Sequence, residues 1–284
     1  MTLEPSHQIP SRLLLGVLAI GLWAAPLSTS AARTGGCVAA DARHGAISVR
    51  SGDVEACVRF HKMMPGPFAG VDNVRLEVTR SGRHRRYTPP VVDGSHLEHP
   101  IAIRDLDMDG VPEVVFQWFT GGAHCCVEAW ILTTSPGAYD VPDRRVFRDW
   151  ADHGFTIRQL NAGGSPLELV SDDASFDYEF SSYAGHHSPP QIFNLVHGKL
   201  QDVTRSFPAV IRSDQRFALT QFRETVRAYP DEARGALAAY VADAYLLGRP
   251  APAWASVRRL DRGPNPVRFR RALAAFLKQQ GYVS

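Results

Sequence analysis

The residues best equipped for chemistry lie between Ile101 and Trp130, in the sequence IAIRDLDMDGVPEVVFQWFTGGAHCCVEAW. Asp105, Asp107 and Asp109 stand at positions 1, 3 and 5 of a loop, with Gly110 at 6, Val111 at 7 and Glu113 at 9. Carboxylates that alternate along a tight loop can all turn inward onto one hard cation. A glycine at position 6 permits the sharp reversal, and the main-chain carbonyl of Val111 can add a neutral oxygen. This is calcium chemistry, since magnesium demands a stricter octahedron and keeps its waters. Position 12, where a helix-loop-helix calcium site needs a bidentate glutamate, is Phe116. The flanking IAIR and VVFQWF favour strands, so the loop is not of that helical type.

Acids at positions 1, 3, 5 and 9 between two strands resemble the calcium loops of the integrin-like FG-GAP and VCBS repeats, over roughly 30 residues of the chain. The resemblance implies Ca2+ as cofactor, ligated by the side chains of Asp105, Asp107, Asp109 and Glu113 and by the main chain of Val111. It also implies blades of a β-propeller or a related β module, an extracellular setting, and a loop that holds strands together beside a binding face. GGAHCC is similar to a stretch of uncharacterised exported bacterial proteins that carry one such loop. The affinity expected is that of extracellular calcium modules, on the order of 10⁻⁴–10⁻³ M, with the ion mainly stabilising the fold.

A second, altered copy of the motif follows. IRDLDMDGVPEVV from Ile103 aligns with IRQLNAGGSPLELV from Ile157, an offset of 54 residues with one extra residue after the second proline. Gln159, Asn161 and Gly163 replace the three aspartates, so this copy is expected to keep the turn and to have lost the metal. A period in this range suits one four-stranded blade. The β region has room for about three such blades, fewer than a closed propeller needs.

Other groups carry weaker signals. His124 beside Cys125 and Cys126 offers a thiol and an imidazole, but a nucleophilic cysteine must remain a thiolate and an exported chain favours bridging. No CxxC or HxxxH spacing supplies paired zinc ligands. His186 and His187 lie in the turn-rich GHHSPP, where exposed histidines are ordinary, and with His153 could form an adventitious metal patch. Asp172, Asp173, Asp177 and Glu179 form an acidic run able to supply the carboxylate pair of a glycoside hydrolase. The commoner origin of such a run is a solvated loop and one strand face. Trp118, Phe119 and Trp130 can make a sugar- or peptide-binding platform, although aromatics in strands more often serve the core. There is no GxSxG, phosphate-cradling glycine loop or dinucleotide fingerprint, so nothing in the sequence demands an enzyme.

The elements that must position these residues change type partway along the chain. Strands are expected at Ala46 to Arg50, Val54 to His61, Val74 to Arg80, Ile101 to Arg104, Val114 to Phe119, Cys126 to Thr133, Phe155 to Leu160, Leu167 to Val170, Tyr178 to Ser181 and Ile192 to Val196. Beyond Pro208 the apolar spacing becomes helical, with stripes through Ala218, Phe222, Val226 and Tyr229, then Leu237, Tyr240, Val241 and Ala244, then Phe269, Leu273, Phe276 and Leu277. Gly248 followed by Pro250 suits a helix end, a short helix is expected from Pro252 to Leu260, and Asn265 with Pro266 suits an N-cap and first helical residue. The expected architecture is mainly β, as incomplete propeller-like blades or a β-sandwich over residues 37–208, with a C-terminal α-helical region over 209–284.

With 44% apolar residues in 284 and a formal net charge of +2, the chain is too apolar for disorder and too balanced for a binder driven wholly by a polyanion. Charge divides with structure: residues 32–208 carry 17 basic and 22 acidic side chains, and 209–284 carry 13 and 6. The basic helical tail suits an anionic surface, or a solvated outer face that complements the acidic β region. It lacks the interleaved aromatics of a nucleic-acid groove. Leu13 to Leu27 is an uncharged apolar run after Arg12 and before small residues, the layout of a signal peptide over residues 1–31 with cleavage near Ala31 or Ala32. No later stretch is long and apolar enough to span a bilayer. Export makes Cys37, Cys57, Cys125 and Cys126 disulfide candidates: either Cys37 pairs with Cys57 and the neighbours form a vicinal bridge, or each neighbour takes one N-terminal cysteine.

The expectation is a secreted or periplasmic calcium-stabilised binding or structural protein, with an extracellular protein, a glycan or an anionic surface as the partner classes. The alternative is an exported hydrolase with a carboxylate site near Asp177.

Overall fold

The β-branched and aromatic runs pair as consecutive antiparallel meanders. In the computed structural model, which describes residues 37–64 and 69–283, β1 (His44–Ser51), β2 (Val54–Lys62), β3 (Val71–Arg80) and β4 (Arg83–Tyr87) form the first sheet in that order. The second holds β5 (Ile101–Arg104), β6 (Glu113–Phe119), β7 (Val127–Thr133) and β8 (Arg144–Asp149). The third holds β9 (Thr156–Arg158), β10 (Glu168–Asp172), β11 (Pro190–Val196) and β12 (Lys199–Asp202). His44, Ile101 and Thr156 open the three sheets, close to the 54-residue offset between the two loop sequences. The fold is mainly β, and among the described residues the sheets close no barrel. The signal peptide expected over residues 1–31 lies outside the described residues.

The middle sheet is buried on both faces. Val114, Phe116, Trp118, Trp130 and Leu132 join Val58, Leu76 and Val78 of the first sheet in one core. Val115, Ala129 and Ile131 meet Leu169, Phe193 and Leu195 of the third sheet in another. Successive residues of β6 therefore serve opposite cores, as the two-residue period of a strand dictates, and VVFQWF is nearly continuously apolar for that reason. Each such side chain, once buried, contributes about 1.5–3 kcal/mol. Trp118 and Trp130 are 1% and 7% exposed, so they are core residues and not a binding platform.

Four helices follow: α1 (Pro208–Thr225), α2 (Ala233–Leu246), α3 (Pro250–Leu260) and α4 (Pro266–Gln279). The alanine-rich α2 is buried almost all round, and its Leu237 and Val241 pack with Val257, Leu273, Phe276 and Leu277. Gly248, at φ +69°, ends α2, with Arg249 N–H donating to the Ala244 carbonyl and Gly248 N–H to that of Tyr245. Pro250 opens α3, two residues ahead of the expected start, because its fixed φ suits a first helical position. Asn265 precedes α4 in a left-handed conformation and makes no side-chain capping bond, contrary to the expected N-cap. Tyr229 lies past the end of α1 and is exposed, outside the stripe assigned to it.

The segment from Tyr178 to Ser181 is not a strand. It belongs to a long connection between β10 and β11 whose aromatics serve the helical core: the Phe176 and Phe180 rings both meet Phe276 edge-on, at 4.9 and 5.2 Å. Tyr282, after α4, donates from its phenol to Asp173 at 2.7 Å and fastens the last helix to the same connection. Arg205 binds the carbonyls of Tyr245 and Leu246 at 2.9 and 3.3 Å, tying α2 to the end of the third sheet.

Candidate metal centres at the two ends of the sheets

Antiparallel meanders put alternate connections at opposite ends, and chemistry gathers at both. At one end, Arg104 and Glu113 pair across β5 and β6 and pinch the acidic loop between them. Oxygens of Asp105, Asp107 and Asp109 all lie within 4.8 Å of one another. The turn holds them there: Gly110 N–H donates to Asp105 at 3.0 Å, Val111 N–H to Asp109 at 2.8 Å and Asp109 N–H to Asp107 at 3.3 Å. Gly110 has φ +88°, a conformation open to glycine at no steric cost.

Glu113 is fully buried and stands outside that grouping, at the base of the loop, where its Oε2 accepts Leu106 N–H at 2.8 Å. Its Oε1 and the Oδ1 of Asp105 are buried without a hydrogen-bond partner among the described residues, although the Thr133 hydroxyl is near enough to favour ionised Glu113. Burial pushes the Glu113 acid up to about 7, helped by the Asp107 charge and opposed by its bond to Leu106. Burial, and then the neighbouring Asp109, also raise Asp107 above the usual carboxylate range. The loop borders an open cleft lined by Asp107, Asp109, Thr134, Arg144 and Gly198.

The second copy of the motif connects β9 to β10. Glu168 is fully buried, and its Oε2 accepts Leu160 N–H at 2.8 Å, the same arrangement as Glu113 with Leu106. Here Oε1 is satisfied, by the side-chain amide of Asn161 at 3.1 Å. Gly164 keeps the left-handed turn at φ +94°. The two loops touch directly, with Leu167 N–H donating to the Leu106 carbonyl at 3.0 Å.

At the opposite end lie the β6–β7, β8–β9 and β10–β11 connections. Cys125 and Cys126 bridge to each other in the first, and Cys37 bridges to Cys57 of β2, closing a 20-residue separation. In the chain-entropy view such a link stabilises by about 3 kcal/mol. The His124 ring lies 3.8 Å from that of Tyr183, whose phenol donates to Asp152 and is pushed up to about 12 by that bond.

The acidic run, which could have supplied a carboxylate pair, is divided. Asp173 accepts Ser175 N–H and the Tyr282 phenol, whereas Asp177 faces His153 at 2.9 Å, Ser188 at 3.1 Å and His186 at 3.5 Å. His187 pairs with Asp214 of α1 at 2.9 Å. Asp243 of α2 is fully buried, and burial beside Asp214 holds its acid well above the usual range. Sequence reasoning passed over Asp152, Tyr183, Asp214 and Asp243. Only Asp243 left a trace, as a charged residue inside the apolar stripe of α2.

Comparison with known proteins draws on both halves of the chain. A family model described as the sll0997 C-terminal domain matches residues 214–281, the helical region. A probable thylakoid lumen protein, sll0997, of Synechocystis is 33% identical over 228 residues, covering 68% of this chain and 64% of that protein. The uncharacterized protein y4bJ of Sinorhizobium fredii is 28% identical over 148 residues, covering 51% of this chain and 22% of that protein. The chain thus spans less than two thirds of the length of either relative. No solved structure matches it. The chain is therefore similar, over both its sheets and its helices, to a probable lumenal protein, and its last three helices lie within the segment that matches the C-terminal domain named for that protein.

Proposed function

We propose that the chain is an exported, calcium-stabilised binding or structural protein whose single FG-GAP- or VCBS-like loop, residues 105–113, holds the ion. One observation carries this reading: Asp105 Oδ1 is buried without a hydrogen-bond partner among the described residues and Glu113 Oε1 has only the nearby Thr133 hydroxyl, whereas in the second copy an asparagine amide completes the buried glutamate. The donors are all hard oxygens, as calcium prefers, and a position-9 acid often reaches the ion through water, which suits Glu113 at the base of the loop. The ion supplies positive charge to four carboxylates that have no basic partner within the loop. Asp105, Asp107 and Asp109 orient the turn, and Glu113 fastens it to Leu106.

Export is supported by the signal-like sequence, by the Cys37–Cys57 bridge and by the lumenal description of the Synechocystis relative. Among the described residues no helix is long and apolar enough to cross a membrane. The cleft beside the loop is the face offered to a partner, whether an extracellular protein, a glycan or an anionic surface. Most basic side chains of the helices point to solvent, which suits a solvated face or that last partner class.

The test is thermal unfolding of the mature oxidised protein in EDTA, magnesium and calcium. Calcium alone is expected to raise the melting temperature, by roughly 2–4 °C per kcal/mol of binding free energy for a chain of this size. Asp107→Asn should abolish the rise. Equal melting in all three solutions would overturn the reading. A second reading, an exported hydrolase at Asp177, draws on the gathering of His153 and His186 around that carboxylate. It requires turnover that Asp177→Asn eliminates without unfolding the protein.

A further inference from the structure

Three side chains from two connections, β8–β9 and β10–β11, converge at the end of the third sheet opposite the acidic loop. His153 ends a single helical turn after β8, Asp177 follows a similar turn after β10, and His186 follows a third, Tyr183–Gly185. His153 Nε2 lies 2.9 and 3.1 Å from the two Asp177 oxygens, and His186 Nε2 lies 3.5 Å from Oδ1. The side chains of His153, Asp177 and His186 are 11%, 15% and 16% exposed. With bonds of roughly 2.0–2.2 Å and tetrahedral angles, ligand atoms around one metal stand about 3.4 Å apart. One ligand atom from each of the three groups lies within 4.8 Å of the others, close enough for small side-chain shifts to close around an ion.

The His186 tautomer strengthens the case. His186 Nδ1 faces the main-chain carbonyl of Tyr183, which can only accept, so the proton sits on Nδ1. With Nδ1 turned to that carbonyl, Nε2 is the ring nitrogen directed at the Asp177 carboxylate. Metal-binding histidines characteristically give their second nitrogen to a carbonyl or carboxylate in this way. His153 differs: its Nε2 bonds Asp177, and its Nδ1 stands 3.9 Å from Asp172 Oδ2, too far for a hydrogen bond. The Tyr183 ring, 4.5 Å from that of His186, fixes the plane of the imidazole.

We propose that His153, Asp177 and His186 form a second metal site, for a borderline divalent transition ion of the zinc class. Two imidazoles with one carboxylate disfavour calcium and magnesium, and three protein ligands leave a coordination position for water or an anionic ligand. His124, Tyr178 and Tyr183 form an aromatic rim beside it, with the Tyr178 side exposed to solvent. This site is independent of the calcium loop.

The test titrates metal-stripped protein, dialysed into calcium, with zinc by calorimetry and with cobalt by visible absorption. One equivalent of zinc should bind, and cobalt should give ligand-field bands. His153→Ala, Asp177→Asn and His186→Asn should each weaken zinc by more than the roughly 10–100-fold that losing an outer-shell partner costs. Asp107→Asn should change nothing, which separates this outcome from failure of the calcium reading. The controls include His61→Ala, because the His44 and His61 rings meet edge to face 4.3 Å apart across β1 and β2. Near-UV circular dichroism selects the folded variants. Absence of binding, loss in His61→Ala, or zinc retained by folded Asp177→Asn and His186→Asn would each overturn the proposal.

Discussion

The loops at 105–113 and 159–168 are two solutions to one problem. Each must turn a tight corner and bury a glutamate that braces the corner from below, through Leu106 N–H in one case and Leu160 N–H in the other. The second loop completes the glutamate with an amide from Asn161 and is self-sufficient. The first surrounds its turn with three carboxylates and leaves buried oxygens without partners among the described residues. A buried polar atom costs about 1–3 kcal/mol when unpaired, and on the proposed calcium reading the ion would relieve that cost at Asp105 and Glu113. Replacing three aspartates by Gln159, Asn161 and Gly163, with the Asn161 amide on Glu168, thus separates a turn that closes by itself from one that, on the proposed reading, would be completed by a cation.

The comparison is most severely tested by removing the two braces. Glu113→Ala should cost about 4 kcal/mol at calcium near a hundred times Kd, combining a charged hydrogen bond with lost ion binding. In EDTA the cost should shrink to about 1–2 kcal/mol, because only the bond to Leu106 is lost. Glu168→Ala should cost about 3 kcal/mol, and equally with or without calcium. Urea unfolding measures both, and a calcium-dependent penalty in the second loop would erase the distinction.

Exchanging the side chains sharpens it. Asn161→Asp sets a carboxylate beside buried Glu168 and should destabilise by about 2 kcal/mol at neutral pH. The shared acidity of such a pair is raised in the fold, so the penalty is complete above the raised values and recedes as pH falls toward the ordinary carboxylate range. Comparing urea midpoints at pH 7 and pH 5 checks the sign. The smallest effect belongs to Asp107→Asn in EDTA, where an amide within reach of the Glu113 region should raise stability by about 1 kcal/mol while cancelling the response to calcium. A loss of stability in EDTA would mean that the two loops are not interchangeable.

What was legible in the sequence was what is local. Asp105, Asp107, Asp109 and Gly110 sit within six residues and carry their chemistry in their spacing. The inner strands were equally plain, because β2, β6 and β11 are apolar enough to mark themselves. The expected strands omitted β4, β8 and β12, the last strand of each sheet. Their sequences RHRRY, RRVFRD and KLQD put charge at the edge, where it protects an open ladder and hides the alternation by which strands are recognised. Tyr178 to Ser181 misled for the opposite reason, since its aromatics serve a helical core. The His153, Asp177 and His186 grouping had no local signature: its members lie on two connections, 24 residues apart in the case of His153 and Asp177, and only the fold brings the β10–β11 connection against the turn after β8.

The contact between Leu167 N–H and the Leu106 carbonyl gives the acidic loop a mechanical dimension. The second and third sheets are not locked by a closing ring, so sliding of one past the other is resisted by their shared core and by such crossing bonds. Leu106 lies between Asp105 and Asp107 in sequence, and tension applied across the sheets passes through the ligand-bearing turn itself. On the proposed calcium reading, load and cation concentration would therefore act on the same coordinate: pulling the sheets apart would spread the carboxylates, and an ion holding them together would stiffen the joint.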